Sequence, residues 1–250
     1  MSGHSKWATI KHKKAATDAK RGAAFTKVIR EITAAAKDGG GNINTNIRLR
    51  AAVDRAKGVN MPLSNVENAI KKGTGELPGV VYETVVFDAY GPGGVALLIE
   101  GLTDNRNRTT AEVRNILSKK NGSLAGAGST AFLFSKKGIL VVDHAVASED
   151  QVMEVALDAG AEDVKSEGKN YEVSCETTNF EGVKKALEAK KIPTVSAEIT
   201  MIPTTMVVVA GDQAKQVLDL MDALEEHEDI QNVYANFDIS EEELERISGV

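Results

Sequence analysis

The stretch Gly73-Thr-Gly-Glu-Leu-Pro-Gly79 most constrains what this chain can fold into, because it separates two different textures. Three glycines and a proline within seven residues break both helix and ladder, so the stretch reads as a linker. Before it, apolar residues recur at helical spacing with no strand pattern. After it, β-rich runs alternate with helical ones. A chain of 250 residues divided in this way predicts two or three domains, and a hydrophobic fraction of 42% is enough to give each a core.

Residues 1–75 read as a small helical domain. From Phe25, the apolar Val28, Ile29, Ile32, Ala35 and Ala36 keep the helical period until Gly39-Gly-Gly41 ends it. At about 100° per residue, Lys20, Lys27, Arg30 and Lys37 fall on the opposite side, so one face packs and the other is cationic. A second helix starts at Asn44 or Thr45, packs Leu49, Ala52, Val53 and Ala56, and stops at Gly58; it exposes Arg48, Arg50, Arg55 and Lys57. A third follows Pro62. Ser64 and Glu67 there have capping-box spacing, Val66 and Ile70 supply the buried side, and Lys71-Lys72-Gly73 closes it.

Beyond the linker, Val80 to Phe87 and Val95 to Leu102 flank the turn Tyr90-Gly-Pro-Gly-Gly94 and predict a hairpin. Arg106–Lys120 reads as a helix and Ala131–Phe134 as a short strand. From Gly138 the pattern gives strand Ile139–Val142, a helix from Ser148, a short strand near Val164, strand Tyr171–Cys175, helix Phe180–Ala189 and strand Thr194–Thr200. That is βαββαβ, the ferredoxin-like order. Met206–Ala210, Asp212–Glu225 and Ile230–Phe237 add strand, helix and strand. This last piece cannot bury both faces alone, so it is expected to complete the hairpin unit. The predicted fold class is therefore α+β multidomain: a helical domain at 1–75, a discontinuous α+β domain at 80–135 plus 204–240, and a βαββαβ domain at 136–203 inserted into it, both of ferredoxin-like type. Ser240–Val250 is acidic and expected to fray.

The formal charge of -6 hides a polarity. Residues 1–75 hold 15 Lys/Arg against 5 Asp/Glu, and residues 76–250 hold 15 against 31. A basic head on an acidic body suits a polyanionic partner, which the body would repel and so help to orient. Aromatics at 4% are too few for a reader of single strands by base stacking. The single cysteine, Cys175, rules out an internal disulfide or thiolate cluster, and its place in an alternating run makes it structural. No apolar run reaches the ~20 residues that span a bilayer. The N-terminus is charged where a signal peptide needs an apolar core, so a cytoplasmic location is expected, with no membrane partner.

Candidate enzyme chemistry is sparse. Gly91-Pro-Gly-Gly94 and Gly126-Ala-Gly-Ser129 lack the ending of a phosphate-binding P-loop and read as turns. The four histidines have no metal-ligand spacing, and Glu225-Glu-His-Glu-Asp229 reads as a solvated helix end. No nucleophile has an identifiable base, so neither catalysis, metal nor cofactor is expected. The informative stretch is instead Met1 to Lys14. Lys6, Lys11, Lys13 and Lys14 can neutralise phosphates, His4 and His12 can donate to them, and Trp7 can stack on a base or buttress the arm. The expected contact set is Lys6, Trp7, Lys11, His12, Lys13, Lys14, Lys20, Lys27, Arg30, Arg48, Arg50, Arg55, Lys57, Lys71 and Lys72. In Thr103-Asp-Asn-Arg-Asn-Arg-Thr109, Thr103 or Asp104 can cap the following helix. Arg106 and Arg108 could either bind an anion there, as a second contact, or pair with acidic neighbours.

Several of these blocks together resemble the YebC/PmpR family, whose mitochondrial relatives include the translational activator of cytochrome c oxidase. They are Gly3-His-Ser-Lys-Trp7 with Ile10-Lys11, Phe25-Thr-Lys-Val-Ile-Arg-Glu-Ile32, Asn60-Met-Pro62, Tyr90-Gly-Pro-Gly-Gly94, Thr103–Thr109 and Val233-Tyr-Ala-Asn236. The resemblance covers essentially the whole chain. It implies a three-domain, non-enzymatic regulator of gene expression that binds double-stranded DNA in transcription. The alternative it implies is a ribosome-associated translation factor that contacts ribosomal RNA and relieves stalling at proline runs. A protein scaffold is a third reading, under which reversing the charge of Lys11, Lys13 and Lys14 would change nothing.

Overall fold

The computed structural model describes residues 18–248. The chain begins there with three helices: α1 (Asp18–Gly39), α2 (Ile47–Gly58) and α3 (Leu63–Thr74). Their shared core is made of Val28, Ile32, Ala35, Leu49, Ala52, Val53, Ala56, Met61, Val66 and Ala69, so the helical period seen in the sequence is the packing face. The cap of α2 is Asn46, a residue or two later than the expected start at Asn44 or Thr45. Its side-chain oxygen accepts from the Leu49 N–H at 3.0 Å, and its amide donates to the carbonyls of Ala35 and Gly40 at 2.8 Å each. One buried side chain thus closes the end of α1 and the start of α2 together, serving groups that helix termini otherwise leave unpaired.

The predicted capping box at Ser64 and Glu67 does not form. Helix α3 starts one residue earlier, at Leu63, with Pro62 in the cap position and no side-chain cap. The linker also begins later than expected, because Gly73 belongs to the last turn of α3, and Gly75, at φ +83°, closes the helix. Gly73 is where α1 and α3 touch. A Cβ there would meet the Thr33 carbonyl oxygen and lie 2.7 Å from the Ala36 Cβ. Alanine gains about 1 kcal/mol of helix propensity over glycine, but crowding against the backbone of a packed helix costs about 1–3 kcal/mol or more. We therefore expect Gly73→Ala to lower the midpoint of urea unfolding. Gly58→Ala, at a position with nothing within 4 Å, should leave it unchanged or raise it.

The rest of the described chain builds two antiparallel four-stranded sheets and one short parallel pair. Strands β1 (Glu83–Tyr90) and β2 (Ala96–Thr103) form the expected hairpin, although β1 starts after Val80 and Val81, which are exposed. Between the strands Gly93 and Gly94 hold φ of +73° and +76°, a turn that side-chain-bearing residues resist. Helix α4 (Arg106–Lys119), capped by Asn105 rather than by Thr103 or Asp104, leads to β3 (Ser123–Leu124). The segment Ala131–Leu133 is a 3-10 turn, not the expected strand, and it opens β4 (Phe134–Asp143). Then come α5 (Glu149–Asp158), β5 (Ala161–Glu167), β6 (Asn170–Glu176), α6 (Phe180–Ala189) and β7 (Ser196–Pro203). The chain ends with β8 (Val207–Val208), α7 (Gly211–Glu225), β9 (Ile230–Ala235), β10 (Phe237–Asp238) and α8 (Glu241–Ser248).

One sheet has the order β3-β1-β2-β9 and another β5-β6-β4-β7, while β8 and β10 pair in parallel. Each four-stranded sheet has its own core. The first packs Val85, Leu97, Ile99, Val113, Leu117, Leu220 and Met221. The second packs Leu140, Val142, Val152, Val173, Val183 and Leu187. Residues of β2 alternate between this first core and a smaller cluster in which Ala96 and Leu98 meet Phe134 and Tyr234, which explains why β2 is buried on both faces. The expectation of fraying is corrected for the described part of the C-terminal segment: in α8 Leu244 is buried and Ile247 packs against the first core. Two apolar residues three apart on an otherwise acidic helix are the reason.

Candidate nucleic-acid interface

The contact set expected from sequence divides into three groups. Lys6, Trp7, Lys11, His12, Lys13 and Lys14 lie outside the described residues, and Lys20 falls on the first turn of α1. A second group faces solvent on the helical head. Arg48 pairs with Asp38 at 2.6 Å, Lys57 with Asp54 at 2.8 Å and Arg55 with Glu31 at 2.7 Å. Arg50 folds over the loop carbonyls of Ile43 and Asn44. Exposed pairs of this kind contribute about 0–1 kcal/mol, so a phosphate can displace the carboxylate at little cost. Lys71 and Lys72 make no ion pair among the described residues, and Lys72 shares a shallow groove of about 220 Å³ with Lys37.

The third group is turned inward. On α1, Lys27 Nζ donates to the Glu225 carbonyl at 2.6 Å, a cation set against the negative C-terminal end of α7. One turn on, Arg30 pairs with Asp229 and, at 3.2 Å, with Glu228, while its guanidinium lies 5.6 Å from the centroid of the Tyr82 ring. Two of the cations on that face of α1, Lys27 and Arg30, are therefore not a free surface. They fasten the head to the body.

Asp229 is the hub of that attachment, and the reading of 225–229 as a solvated helix end is corrected: Asp229 is only 2% exposed. Besides Arg30, it accepts from Arg108 at 2.9 Å, Thr109 Oγ1 at 2.5 Å and Thr103 Oγ1 at 3.2 Å. Burial on its own would push this carboxyl up. The bonds from Thr109 and Arg108 and the charge of Arg30 outweigh it and hold the group down at about 2. Arg108 also binds Asp104 at 2.6 Å, and these bonds to Asp229 and Asp104 push its guanidinium further up. Of the two readings open for Arg108, ion pairing with acidic neighbours is the one the geometry has.

Glu112, His227 and Asp229 bring potential ligand atoms within 4.8 Å of one another, in a cleft of about 580 Å³ beside Arg30 and Arg108. Glu112 is more than a hundred positions from the other two, so no spacing rule finds the set. The cluster is poorly made for a cation. The Asp229 carboxylate is already answered by two guanidiniums and two hydroxyls. His227 Nδ1 accepts the Asp229 N–H at 3.1 Å, which leaves Nε2 to face Glu112 at 2.9 Å. Cys175 is buried, its Sγ 3.6 Å from the Gly138 carbonyl, and burial pushes the thiol up, with Glu162 and Glu176 adding to it. It is a packing residue.

The outcome is an acidic α+β body carrying a basic helical head, joined through the buried Asp229 carboxylate and through Lys27 on the end of α7. The chain belongs to the TACO1/YebC family: the model of the family's N-terminal domain matches residues 5–76, and that of its second and third domain matches residues 82–237. A "Probable transcriptional regulatory protein" of Trichlorobacter lovleyi is 57% identical over 247 residues, covering 99% of this chain and all of the relative. One of that name from Geobacter sulfurreducens matches to the same extent. Among solved structures, the conserved hypothetical protein Aq1575 of Aquifex aeolicus has 43% identity and a TM-score of 0.78, covering 90% of this chain and 93% of its own. No described helix is long and apolar enough to cross a membrane.

Proposed function

We propose that this chain is a non-enzymatic, cytoplasmic regulator that binds nucleic acid through its helical head, with duplex DNA as the partner and transcription as the process. The observation that carries this is the outward set on the head: Arg48, Arg50, Arg55, Lys57, Lys71 and Lys72 are exposed or paired only by weak surface contacts, on a body of opposite charge. Phosphates release counterions on meeting such a surface, and this supplies affinity without base reading. The helices offer no evident base-reading set, so sequence discrimination should be modest. The names of the relatives support a regulatory role.

Lys27 and Arg30 are assigned in this proposal to holding the head rather than to touching phosphate. We also read the chain as three domains, with 136–203 inserted into a domain made of 80–135 and 204–240. Supporting this, β4-α5-β5-β6-α6-β7 forms its own sheet in the order β5-β6-β4-β7, the ferredoxin-like arrangement, over a separate core.

Crosslinking in cells, followed by sequencing of both attached DNA and attached RNA, tests the partner directly. Enrichment of DNA fragments is the expected result. Enrichment of ribosomal RNA, with ribosome pausing at proline runs in a deletion strain, would replace the transcriptional reading with the translational one. Neither polymer above background would reject nucleic-acid binding.

A further inference from the structure

Helix α4 separates two depressions and presents a different face to each. Arg108, Glu112, Asn115 and Ile116 line the cleft shared with Asp229. Thr109, Val113 and Leu117 enter the core. Arg106, Thr110, Arg114 and Ser118, each four residues from the last, line a separate groove of about 590 Å³ whose other wall is the outer edge of β1 around Val86–Asp88 and the segment from Ser123 to Ala127.

That groove is an electrostatic exception. Residues 76–250 hold 15 Lys/Arg, only four of them arginines, against 31 acidic residues. Arg108 and Arg246 are spent in ion pairs. Arg106 and Arg114 are exposed, make no ion pair among the described residues, and are the two that share the groove. The only carboxylate lining it, Asp88, is 5% exposed and already accepts from the N–H groups of Gly128, Thr130 and Ala131 and from the Thr130 hydroxyl, all at 2.8–2.9 Å. Two uncommitted guanidiniums remain, about 12 Å apart along a helix that rises ~1.5 Å per residue, with the hydroxyls of Ser118 and Ser123 in the same lining, while that of Thr110 already donates to the Arg106 carbonyl at 2.6 Å. Guanidinium forks with hydroxyl donors are the chemistry that binds phosphodiester oxygens.

We infer that the Arg106–Arg114 groove is a second phosphodiester-binding surface, engaging the backbone of the nucleic acid that the head holds. It rests on the nucleic-acid reading above and adds to it Arg114, which no sequence block singled out. It also separates Arg106, which binds, from its neighbour Arg108, which is structural. The outer edge of β1 is covered by β3 only at Ala89 and Tyr90, so an acidic extended peptide is the competing occupant. Charge without an apolar anchor favours the phosphate backbone: the one large apolar side chain exposed in the groove is Val86.

The test uses the full chain and a fluorescein-labelled 30-base-pair duplex and a 30-nucleotide RNA, read by anisotropy across a salt series. Arg106→Ala with Arg114→Ala should weaken binding to whichever probe the wild type holds and make the slope of log affinity against log salt shallower by up to about 1.8 on duplex or about 1.4 on a single strand. Lysine at both positions should restore the slope. The unfolding curve should not move, because neither side chain is paired among the described residues. An unchanged slope in the alanine variant, while Lys71→Ala with Lys72→Ala still reduces it, overturns the groove and leaves the head reading intact. Unchanged binding in both variants overturns the head reading as well. Loss of binding to a labelled polyglutamate peptide in place of nucleic acid assigns the groove to a protein partner and overturns the inference.

Discussion

Replacing Asp229 with Asn is expected to lower the free energy of unfolding by about 3–5 kcal/mol, the cost of removing one partner from a buried charged network. Asparagine nearly matches the shape but removes the charge that answers Arg30 and Arg108. It also turns an amide NH2 towards donors that have no use for it. Arg30 is on α1 and Arg108 on α4, so the loss falls on the contact between head and body. The control is Glu228→Gln, which removes the other carboxylate bound to Arg30. The Glu228 side chain is 69% exposed, so that change should cost under about 1 kcal/mol. Urea unfolding followed by circular dichroism measures both. Equal losses in the two variants would show that Asp229 does not hold the parts together.

The same residue sets a pH dependence. A carboxyl held at about 2 in the folded chain, against roughly 3.9 when unfolded, favours folding wherever it is ionised. Its stabilisation is fully present above pH ~4 and disappears as pH falls through ~2, a change of about 2–3 kcal/mol. Asp88 adds to the trend in the same direction. Burial would raise it, but the N–H groups of Thr130, Gly128 and Ala131 and the Thr130 hydroxyl pull it below its ordinary value. Asp229→Asn should therefore differ most from the wild type near neutral pH, and the gap should narrow steadily between pH 4 and pH 2.

Periodicity carried the helices and most strands because each is a local property: Leu49, Ala52, Val53 and Ala56 show the buried face of α2 in the sequence itself. Termini were harder to place. Ser64 and Glu67 satisfy a capping rule, but Pro62 takes the cap position and the helix is already under way at Leu63, which puts Ser64 inside it. At the other end, acidic composition obscured Leu244 and Ile247, whose burial depends on α8 meeting a core built mainly elsewhere. The candidate site was legible in its net charge and opaque in its division of labour. Lys27 and Arg30 look like Arg48 and Lys57 on a helical wheel, yet their partners lie 198 and 199 residues away. Only tertiary contact distinguishes a fastening cation from a free one. Asp229 was hidden for the same reason, inside a run of acids that reads as solvent-facing.

Replacing five lysines of the basic head should abolish most nucleic-acid binding, and the two of them that the structure describes should go without loss of stability. The variant that tests this carries alanine at Lys11, Lys13, Lys14, Lys71 and Lys72. Lys71 and Lys72 make no ion pair among the described residues, and surface changes away from caps and networks stay within about 0.5 kcal/mol. The wild type, making six or more phosphate contacts, should lose about a thousandfold in affinity for duplex DNA between 50 and 200 mM salt. Each contact removed takes about 0.9 from the logarithmic slope, so five removals should make it shallower by up to about 4.5. Affinity at low salt should fall by more than a hundredfold. Reversing Arg30 instead would confuse two effects, since Arg30→Glu places a carboxylate against Asp229 and breaks the junction with the body. A wild type whose binding does not weaken with salt would show that phosphate neutralisation is not the source of its affinity. A five-fold variant with an unchanged slope would show that the head is basic for another reason.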